Sequence, residues 1–287
     1  MTKSRLIKIN QKKMMCFIPI LILFGSGFLG YFMIEDHTTV SLNDTNPTER
    51  EVYIPLPNDD PSNYYDASSL SNYTLEVKLL EEEEQVRGNL TVDFYNYSPE
   101  NFDALPFHIF LSGMSYDTQP GEIEILDVYE EGNPGNKLDY QTYPDDQLMW
   151  VNLSNTLEPN NRVQFIIEYL ATFPDGGIDR CNVHDVGPNT EIFKYAVAYP
   201  MPCTWDETDK WNTDPYFHIS DPFYNRMAFY DFYVEVPEGM VVAATGQLVD
   251  EEDLGDTIRY HYDPIYPVRE VTFSASRYFL VNSTMYN

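Results

Sequence analysis

The sequence predicts an all-β ectodomain, a curved saddle-like sheet or β-sandwich, carried by one N-terminal transmembrane helix. Three observations predict this: an uncharged apolar run near the amino terminus, a long acidic body, and a repeated alternation of apolar and polar residues. Alternation with period two places every second side chain on one face of a strand, whereas a helix needs a period near 3.6. Hydrophobic residues make up 43% of the 287 residues, so the chain has enough apolar surface to bury a core.

The charge is divided between a small basic head and a large acidic body. The chain carries 17 Lys and Arg against 46 Asp and Glu, which gives a net charge of −29. Five of the basic residues fall within residues 1–13, and no acid precedes Glu35. This balance argues against a nucleic-acid partner, because phosphate backbones are bound by clustered Lys and Arg.

The first predicted element is a transmembrane anchor at residues 14–34. This stretch of 21 residues has no charge, and a helix of that length spans roughly 31 Å, close to the thickness of a bilayer core. The basic segment 1–13 would stay in the cytoplasm and the acidic body would be extracellular, giving a single-pass protein of the cell membrane. A cleaved signal peptide with its apolar core at 17–24 is the alternative, and it also exports the body.

A polar stalk is predicted at residues 35–69. The segment is rich in Asp, Asn, Pro, Thr and Ser and shows no apolar period. A loop packed on the following domain is the alternative.

Export would allow N-glycosylation and disulfide formation. Six Asn-x-Ser/Thr triplets are candidate acceptors: Asn43, Asn72, Asn89, Asn96, Asn152 and Asn282. Asn96 is the poorest of them, because Pro99 follows its Ser98. Cys181 and Cys203, the two cysteines of the body, either form one disulfide or remain as two buried thiols.

A β domain is predicted from residue 70 to residue 287. Its apolar positions alternate along segments rich in Val, Ile, Tyr, Phe and Thr, with turn clusters between some of them. The predicted strands are Tyr73–Leu79, Val86–Phe94, Leu105–Leu111, one that begins at Ile123, Gln147–Leu153, Arg162–Ala171, Ile192–Ala198, Phe229–Val236, Met240–Val249, Thr257–Tyr262 and Glu270–Val281.

The sequence contains no catalytic constellation. It has no HExxH pair to hold zinc, no GxSxG serine elbow and no glycine-rich phosphate loop. Cys181, His184, Cys203 and His218 could form a Cys2His2 zinc site, but the spacing from Cys203 to His218 fits no usual zinc module. We therefore predict no metal site and no cofactor in this chain, and no enzymatic activity of the chain alone.

The segment Tyr199–Tyr233, followed by VEVPEGMVVAATGQLV, is the most specific part of the sequence. It resembles the N-terminal domain of the aminopeptidase N family of zinc metallopeptidases (gluzincins), where a Pro-Cys-x-Asp-Glu-Pro motif precedes a DYxVxxxVPxxxxVxATG strand. The motif is matched, with one additional residue, by Pro202, Cys203, Asp206 and Glu207, and Thr208 replaces its second proline. The strand is matched by Tyr230, Asp231, Val234, Val236, Pro237, Val242, Ala244, Thr245 and Gly246. The resemblance covers about residues 70–280.

The resemblance implies a β-saddle domain that caps an active-site cleft and contacts the amino terminus of a peptide. Glu191 falls near the family position that offers a Gln or Glu for this contact, and an exposed strand-end acid is the alternative. The family's zinc lies in a following helical domain with GxMEN and HExxH motifs, which this chain lacks. We therefore expect a truncated, split or accessory form that works with a downstream or separate catalytic domain.

A cell-surface β-sandwich module that binds a glycan or a protein is the second hypothesis. Its binding surface would be the aromatic loop around Pro200, Pro202, Pro215 and Pro222. The same aromatic side chains could instead cover the core.

Overall fold

β-Strands and short 3-10 turns build the part of the chain that the computed structural model describes, which is residues 67–114, 120–174, 180–185, 191–217 and 223–281. These residues contain no α-helix, and the predicted all-β class is confirmed. No helix among them is long and apolar enough to cross a membrane. The predicted basic segment 1–13, the anchor 14–34 and most of the stalk 35–69 lie outside the described residues.

The strands are numbered in chain order. They are β1 (Asn72–Leu80), β2 (Gln85–Tyr95), β3 (Phe102–His108), β4 (Glu122–Glu130), β5 (Tyr140–Tyr143), β6 (Leu148–Leu157), β7 (Arg162–Thr172), β8 (Asn182–Asp185), β9 (Glu191–Tyr195), β10 (Met201–Pro202), β11 (Trp205–Asp206), β12 (Lys210–Trp211), β13 (Phe229–Pro237), β14 (Val241–Ala244), β15 (Gln247–Asp253), β16 (Thr257–Asp263) and β17 (Phe273–Ser276). The 3-10 turns are Ala67–Ser69, Phe110–Gly113 and Pro144–Asp146.

These strands form several sheets. The largest has the order β15-β16-β13-β1-β2-β7-β4. Two four-stranded sheets have the orders β10-β3-β6-β5 and β14-β17-β9-β8, and β11 pairs with β12. Among the described strands, only β1 and β13 pair in parallel, with Tyr73 beside Tyr230. The strand that carries the family resemblance therefore lies near the centre of the largest sheet.

The largest sheet buries one face and exposes the other, as the alternation predicts. On β1 the buried side chains are Tyr73, Leu75, Val77 and Leu79, and the intervening residues face outwards. The buried face joins side chains of the two four-stranded sheets in one hydrophobic cluster. The outer face is lined by charged and polar residues.

Some predicted strands are shorter than their apolar pattern. The strand predicted at Leu105–Leu111 ends at His108 and continues as a 3-10 turn. The one predicted at Met240–Val249 is divided into β14 and β15 at Gly246, where φ is +105° and an added Cβ would lie 2.7 Å from the backbone of Asp263. The chain passes there from one sheet to another. Apolar alternation reports burial, so it continues past the last hydrogen-bonded pair.

Candidate functional site

The motif begins on β10, an edge strand that pairs with β3. Pro202 lies opposite Phe107, and the backbone N–H of Cys203 donates to the carbonyl of Pro106 at 3.0 Å. An edge position suits Pro202, which has no N–H to donate. The side chain of Cys203 is buried, and burial raises the pKa of its thiol well above the ordinary value.

A tyrosine hydroxyl holds the backbone of the motif. The Oη atom of Tyr97 accepts the N–H of Trp205 at 2.7 Å and donates to the carbonyl of the same residue at 3.2 Å. The guanidinium of Arg226 lies 3.7 Å from the centre of the Tyr97 ring. Burial raises the pKa of Tyr97, although the hydrogen bond to Trp205 and the charge of Arg226 lower it. Tyr97 therefore stays neutral and can act as donor and acceptor together.

The acids of the motif have different environments. The Oδ1 atom of Asp206 accepts the backbone N–H groups of Thr208 and Asp209, both at 2.8 Å. Thr208 can donate in this way because it has an N–H, which the proline at this position of the motif that the segment resembles would lack. Glu207 lies on the same turn and is exposed. Asp206 is thus occupied in holding the turn, whereas Glu207 is accessible to solvent.

The segment after the motif is held by two polar side chains, His108 at the end of β3 and Gln147 directly before β6. The Nε2 atom of His108 lies 3.1 Å from the carbonyl of Asn212, so it must donate there. Gln147 donates to the carbonyl of Tyr216 at 3.1 Å and accepts its N–H at 2.8 Å. These contacts attach the beginning of the aromatic loop to the ends of β3 and β6.

His108 is a buried neutral imidazole. Its ring stacks on Phe110 with 4.1 Å between ring centres. Its Nδ1 atom is buried and has no hydrogen-bond partner among the described residues. Burial lowers the pKa of His108 to about 4, against smaller opposing effects of Asn212 and Asp214.

The aromatic loop both covers the core and remains partly exposed. Trp205 and Tyr216 are buried, and Phe223 stacks on Tyr216 at 5.5 Å between ring centres. Phe217 and Tyr224 are 62% and 50% exposed. The loop therefore combines the two roles that the sequence left open, with an apolar edge that faces solvent.

Glu191 begins β9 and is exposed. Its carbonyl accepts the hydroxyl of Ser276 at 2.7 Å, and its register partner on β8 is Asp185. Its contacts thus lie with β8 and β17, whereas those of the motif lie with β3. The structure does not bring Glu191 and the motif together through a described contact, and residues 186–190 beside it lie outside the described part.

The described residues do not fit a zinc ion. No cluster of three or more His, Cys, Asp or Glu side chains among them is placed to hold a metal. Cys181 and Cys203 are both buried thiols and are not joined by a disulfide. His218, the fourth member of the Cys2His2 alternative, lies outside the described residues.

The candidate glycosylation sites differ in exposure. Asn72 and Asn152 are exposed, and Asn89 is half-buried. Asn96 differs from these three, because it is fully buried. Its amide donates to the carbonyls of Glu100 and Leu157 at 2.8 and 3.1 Å, so a glycan would displace both bonds. Asn43 and Asn282 lie outside the described residues.

Sequence reasoning missed Tyr97, His108 and Gln147, which do most of the positioning. Each is distant in sequence from the segment that it holds, and nothing in the local pattern marks it. The alternation of Leu105, Phe107 and Ile109 places His108 on the opposite face of the predicted strand, so the pattern gives no sign that His108 is buried.

Comparison with protein-family models and with curated proteins found no match. Among solved structures, the chain is similar to a two-domain M1 zinc metallopeptidase mutant bound to L-tryptophan, with 15% identity over 72% of this chain and 42% of that chain, and a TM-score of 0.49. It is also similar to an M1 zinc metallopeptidase from Deinococcus radiodurans, with 13% identity, 72% and 42% coverage and a TM-score of 0.48. A mutant from the same organism bound to a Tyr-Ser-Ala substrate has 14% identity, 72% and 42% coverage and a TM-score of 0.48. The chain spans less than half of the length of these structures, which are of the metallopeptidase family that the central motif resembles.

Proposed function

We propose that this chain provides the saddle-like N-terminal β domain of an aminopeptidase N-like zinc metallopeptidase. In this role it borders the active-site cleft and contacts the amino terminus of a peptide. Catalysis belongs to a separate or downstream zinc domain. The predicted anchor at 14–34 would hold this assembly on the outer surface of the cell membrane.

The observation that carries the proposal is the use of the motif in the structure. Pro202 and Cys203 attach the motif to β3, and Asp206 holds the turn that follows. The aromatic loop follows them, is attached by His108 and Gln147, and exposes Phe217 and Tyr224. A rigid base under an exposed apolar edge is suited to packing against another domain.

Glu191 is the proposed contact for the peptide ammonium group. Glu191 is exposed at the start of a strand, and in the part of the chain that the structure describes Ser276 contacts its backbone carbonyl and not its carboxylate. An exposed carboxylate can accept an ammonium group without a large desolvation cost.

The test is a titration of the full chain with the peptide Tyr-Ser-Ala and with its N-acetylated form. We expect the free peptide to bind more tightly, and Glu191→Gln to remove the difference. Glu207→Gln is the matched control, since Glu207 is an exposed acid outside the proposed contact. Equal binding of both peptides, or the same loss in both variants, would contradict the role of Glu191.

A second measurement tests whether this chain is inactive without a separate zinc domain. We expect the purified chain with added zinc to leave aminoacyl-naphthylamides unhydrolysed. Turnover that a chelator abolishes would show that the chain is itself a metallopeptidase.

A further inference from the structure

The outer face of the largest sheet contains an open groove of about 300 Å³. It lies over β1, β2, β7, β13 and β16, on the face opposite the hydrophobic core. Three carboxylates and three cations line it: Glu76, Glu168, Glu235, Lys78, Arg87 and Arg259. Although the whole chain carries a charge of −29, the charges of this groove balance.

The sheet register sets the arrangement of these charges. Lys78 lies opposite Arg87 on β2 and Glu235 on β13. Two residues further along β2, Asn89 lies between Glu76 on β1 and Glu168 on β7. One row therefore contains Glu235, Lys78 and Arg87, and the row beside it contains Glu76, Asn89 and Glu168. Neighbouring positions lie about 5–8 Å apart.

Several of the charged groups are already paired within the protein. Lys78 is 2.7 Å from Glu235, and Arg259 forms an ion pair with Glu76. Burial raises the pKa of Glu235, but hydrogen bonds from Lys78 and Thr257 outweigh it, so the pKa is lowered and the group stays ionised.

Two charged groups of the groove have binding capacity left, and a third polar group is unsatisfied but buried. Arg87 is exposed and has no side-chain partner among the described residues, while its register partners are Lys78 and Leu170. The Oδ1 atom of Asn89 is buried and has no partner in the described part of the chain. Glu168 accepts the hydroxyl of Tyr129 with Oε1 at 2.8 Å, which leaves its second oxygen.

We infer that this groove binds a small zwitterion. Its carboxylate pairs with Arg87, and its ammonium group is held by Glu168. Arg87 and Glu168 are diagonal neighbours on adjacent strands, so one small ligand can reach both. A ligand without net charge is the one that a balanced set of charges would select.

The aromatic residue of the groove argues against a sugar. Tyr233 stacks on His261 with 4.2 Å between ring centres, and the guanidinium of Arg259 lies 4.6 Å from the centre of the same ring. The ring is therefore already engaged by two side chains of the protein, which makes it a poor platform for a sugar. The inference does not rest on the proposed function, because Glu191 and the motif lie on other sheets.

The experiment is calorimetric titration of the full chain, produced in bacteria so that Asn89 carries no glycan. The probes are glycine and glycylglycine, which have both charges, N-acetylglycine, which has only the carboxylate, and glycinamide, which has only the ammonium group. We expect binding of a zwitterion and at least about tenfold weaker binding of both singly charged probes, since each loses one charged contact.

Substitutions on β2 and β7, compared with control substitutions on other strands, test where the zwitterion binds. Arg87→Gln and Glu168→Gln should each weaken glycylglycine binding by about tenfold or more. Lys194→Gln and Glu252→Gln change the net charge equally on other strands and should leave the affinity unchanged. Glu191→Gln should also leave it unchanged, which separates this groove from the proposed peptide contact.

The inference is overturned if no zwitterion binds at millimolar concentration. It is also overturned if glycinamide binds as well as glycylglycine, or if the groove variants bind as the control variants do. Matching denaturant midpoints for all variants would show that lost binding is not lost folding.

Discussion

A carbon added at Gly88 would lie 2.0 Å from the Cζ atom of Tyr169. The two residues are register partners on β2 and β7, where Gly88 interrupts the row of larger buried side chains. The absence of a side chain at Gly88 gives the Tyr169 ring its place in the core. The hydroxyl of Tyr169 then lies 2.6 Å from that of Tyr195 on β9, so it links two sheets.

Gly88→Ala should destabilise the domain by about 1–3 kcal/mol or more, because the Tyr169 ring must move within a packed core. Chemical denaturation monitored by circular dichroism measures the loss. Gly135→Ala is the control, since its nearest contact would be 3.6 Å away in a turn, and it should change stability by less than about 0.5 kcal/mol. Equal stability of the two variants would show that the Tyr169 ring has room to shift.

Tyr195→Phe should destabilise the domain more than the removal of both hydroxyls does. The single variant leaves the buried hydroxyl of Tyr169 without its partner, which costs roughly 1–3 kcal/mol. Tyr169→Phe combined with Tyr195→Phe leaves no polar atom unsatisfied. A double-mutant cycle measured by denaturation gives the coupling, and additive losses would contradict it.

His108 should make the domain less stable in mild acid. The unfolded imidazole takes up a proton near pH 6.5, whereas burial lowers the pKa of the folded one to about 4. The neutral imidazole of His108 therefore stabilises the folded state fully above pH 6.5, and this contribution is lost as the pH falls towards 4. The total contribution to the free energy of unfolding is on the order of 3 kcal/mol.

His108→Phe tests this pH dependence, because it keeps a ring to stack on Phe110 and removes the titrating group. Between pH 7 and pH 5 the variant should lose roughly 2 kcal/mol less stability than the natural chain. The difference in slope is the readout, since the lost hydrogen bond to Asn212 affects both pH values. Identical slopes would mean that His108 gains a proton without unfolding.

Asn96 should carry no glycan when the chain is produced in a glycosylating secretory system. Its amide is buried and donates to two carbonyls, whereas Asn152 is exposed on β6. Peptide mass spectrometry measures the occupancy of each site. Asn96→Ala should also cost roughly 1–3 kcal/mol, and Asn152→Ala close to none. Occupancy of Asn96 in folded protein would contradict its burial.

Thr208→Pro should destabilise the motif turn by about 1 kcal/mol, although proline is the family's residue there. The change removes the N–H that donates to Asp206 at 2.8 Å. Thr208→Ala keeps this N–H and is the control, with an effect below about 0.5 kcal/mol. Denaturation midpoints compare the two, and equal midpoints would show that the bond from Asp209 suffices.

The sequence predicted the strands that carry a long local pattern, but it did not predict which strands pair with each other. Alternation located β1, β2, β7, β13 and β16 almost to the residue, because each buries one face along its length. The two-residue strands β10, β11 and β12 were missed, since a pattern needs more positions than they have. The parallel pairing of β1 with β13 was not predicted either, because strand partners are chosen by the whole sheet.

The candidate site likewise combines residues that a local motif marks with residues that only folding brings to them. The motif from Pro202 to Glu207 was visible in the sequence, but its backbone is held by Tyr97 and the segment after it is held by His108. Both contacts form only on folding. Glu191 was predicted to contact the amino terminus of a peptide, and its described contacts lie with β8 and β17.

The order of residues alone determined the class of fold, the acidic body and the family that the chain resembles. These follow from composition, period and short motifs, all of which act over a few neighbouring positions. Tertiary structure alone decided that Asn96 is buried, that Gly88 makes room for Tyr169, and that balanced charges from five strands meet in one groove. The reason is physical: burial and charge pairing depend on distances between strands, and those distances are set only when the sheets assemble.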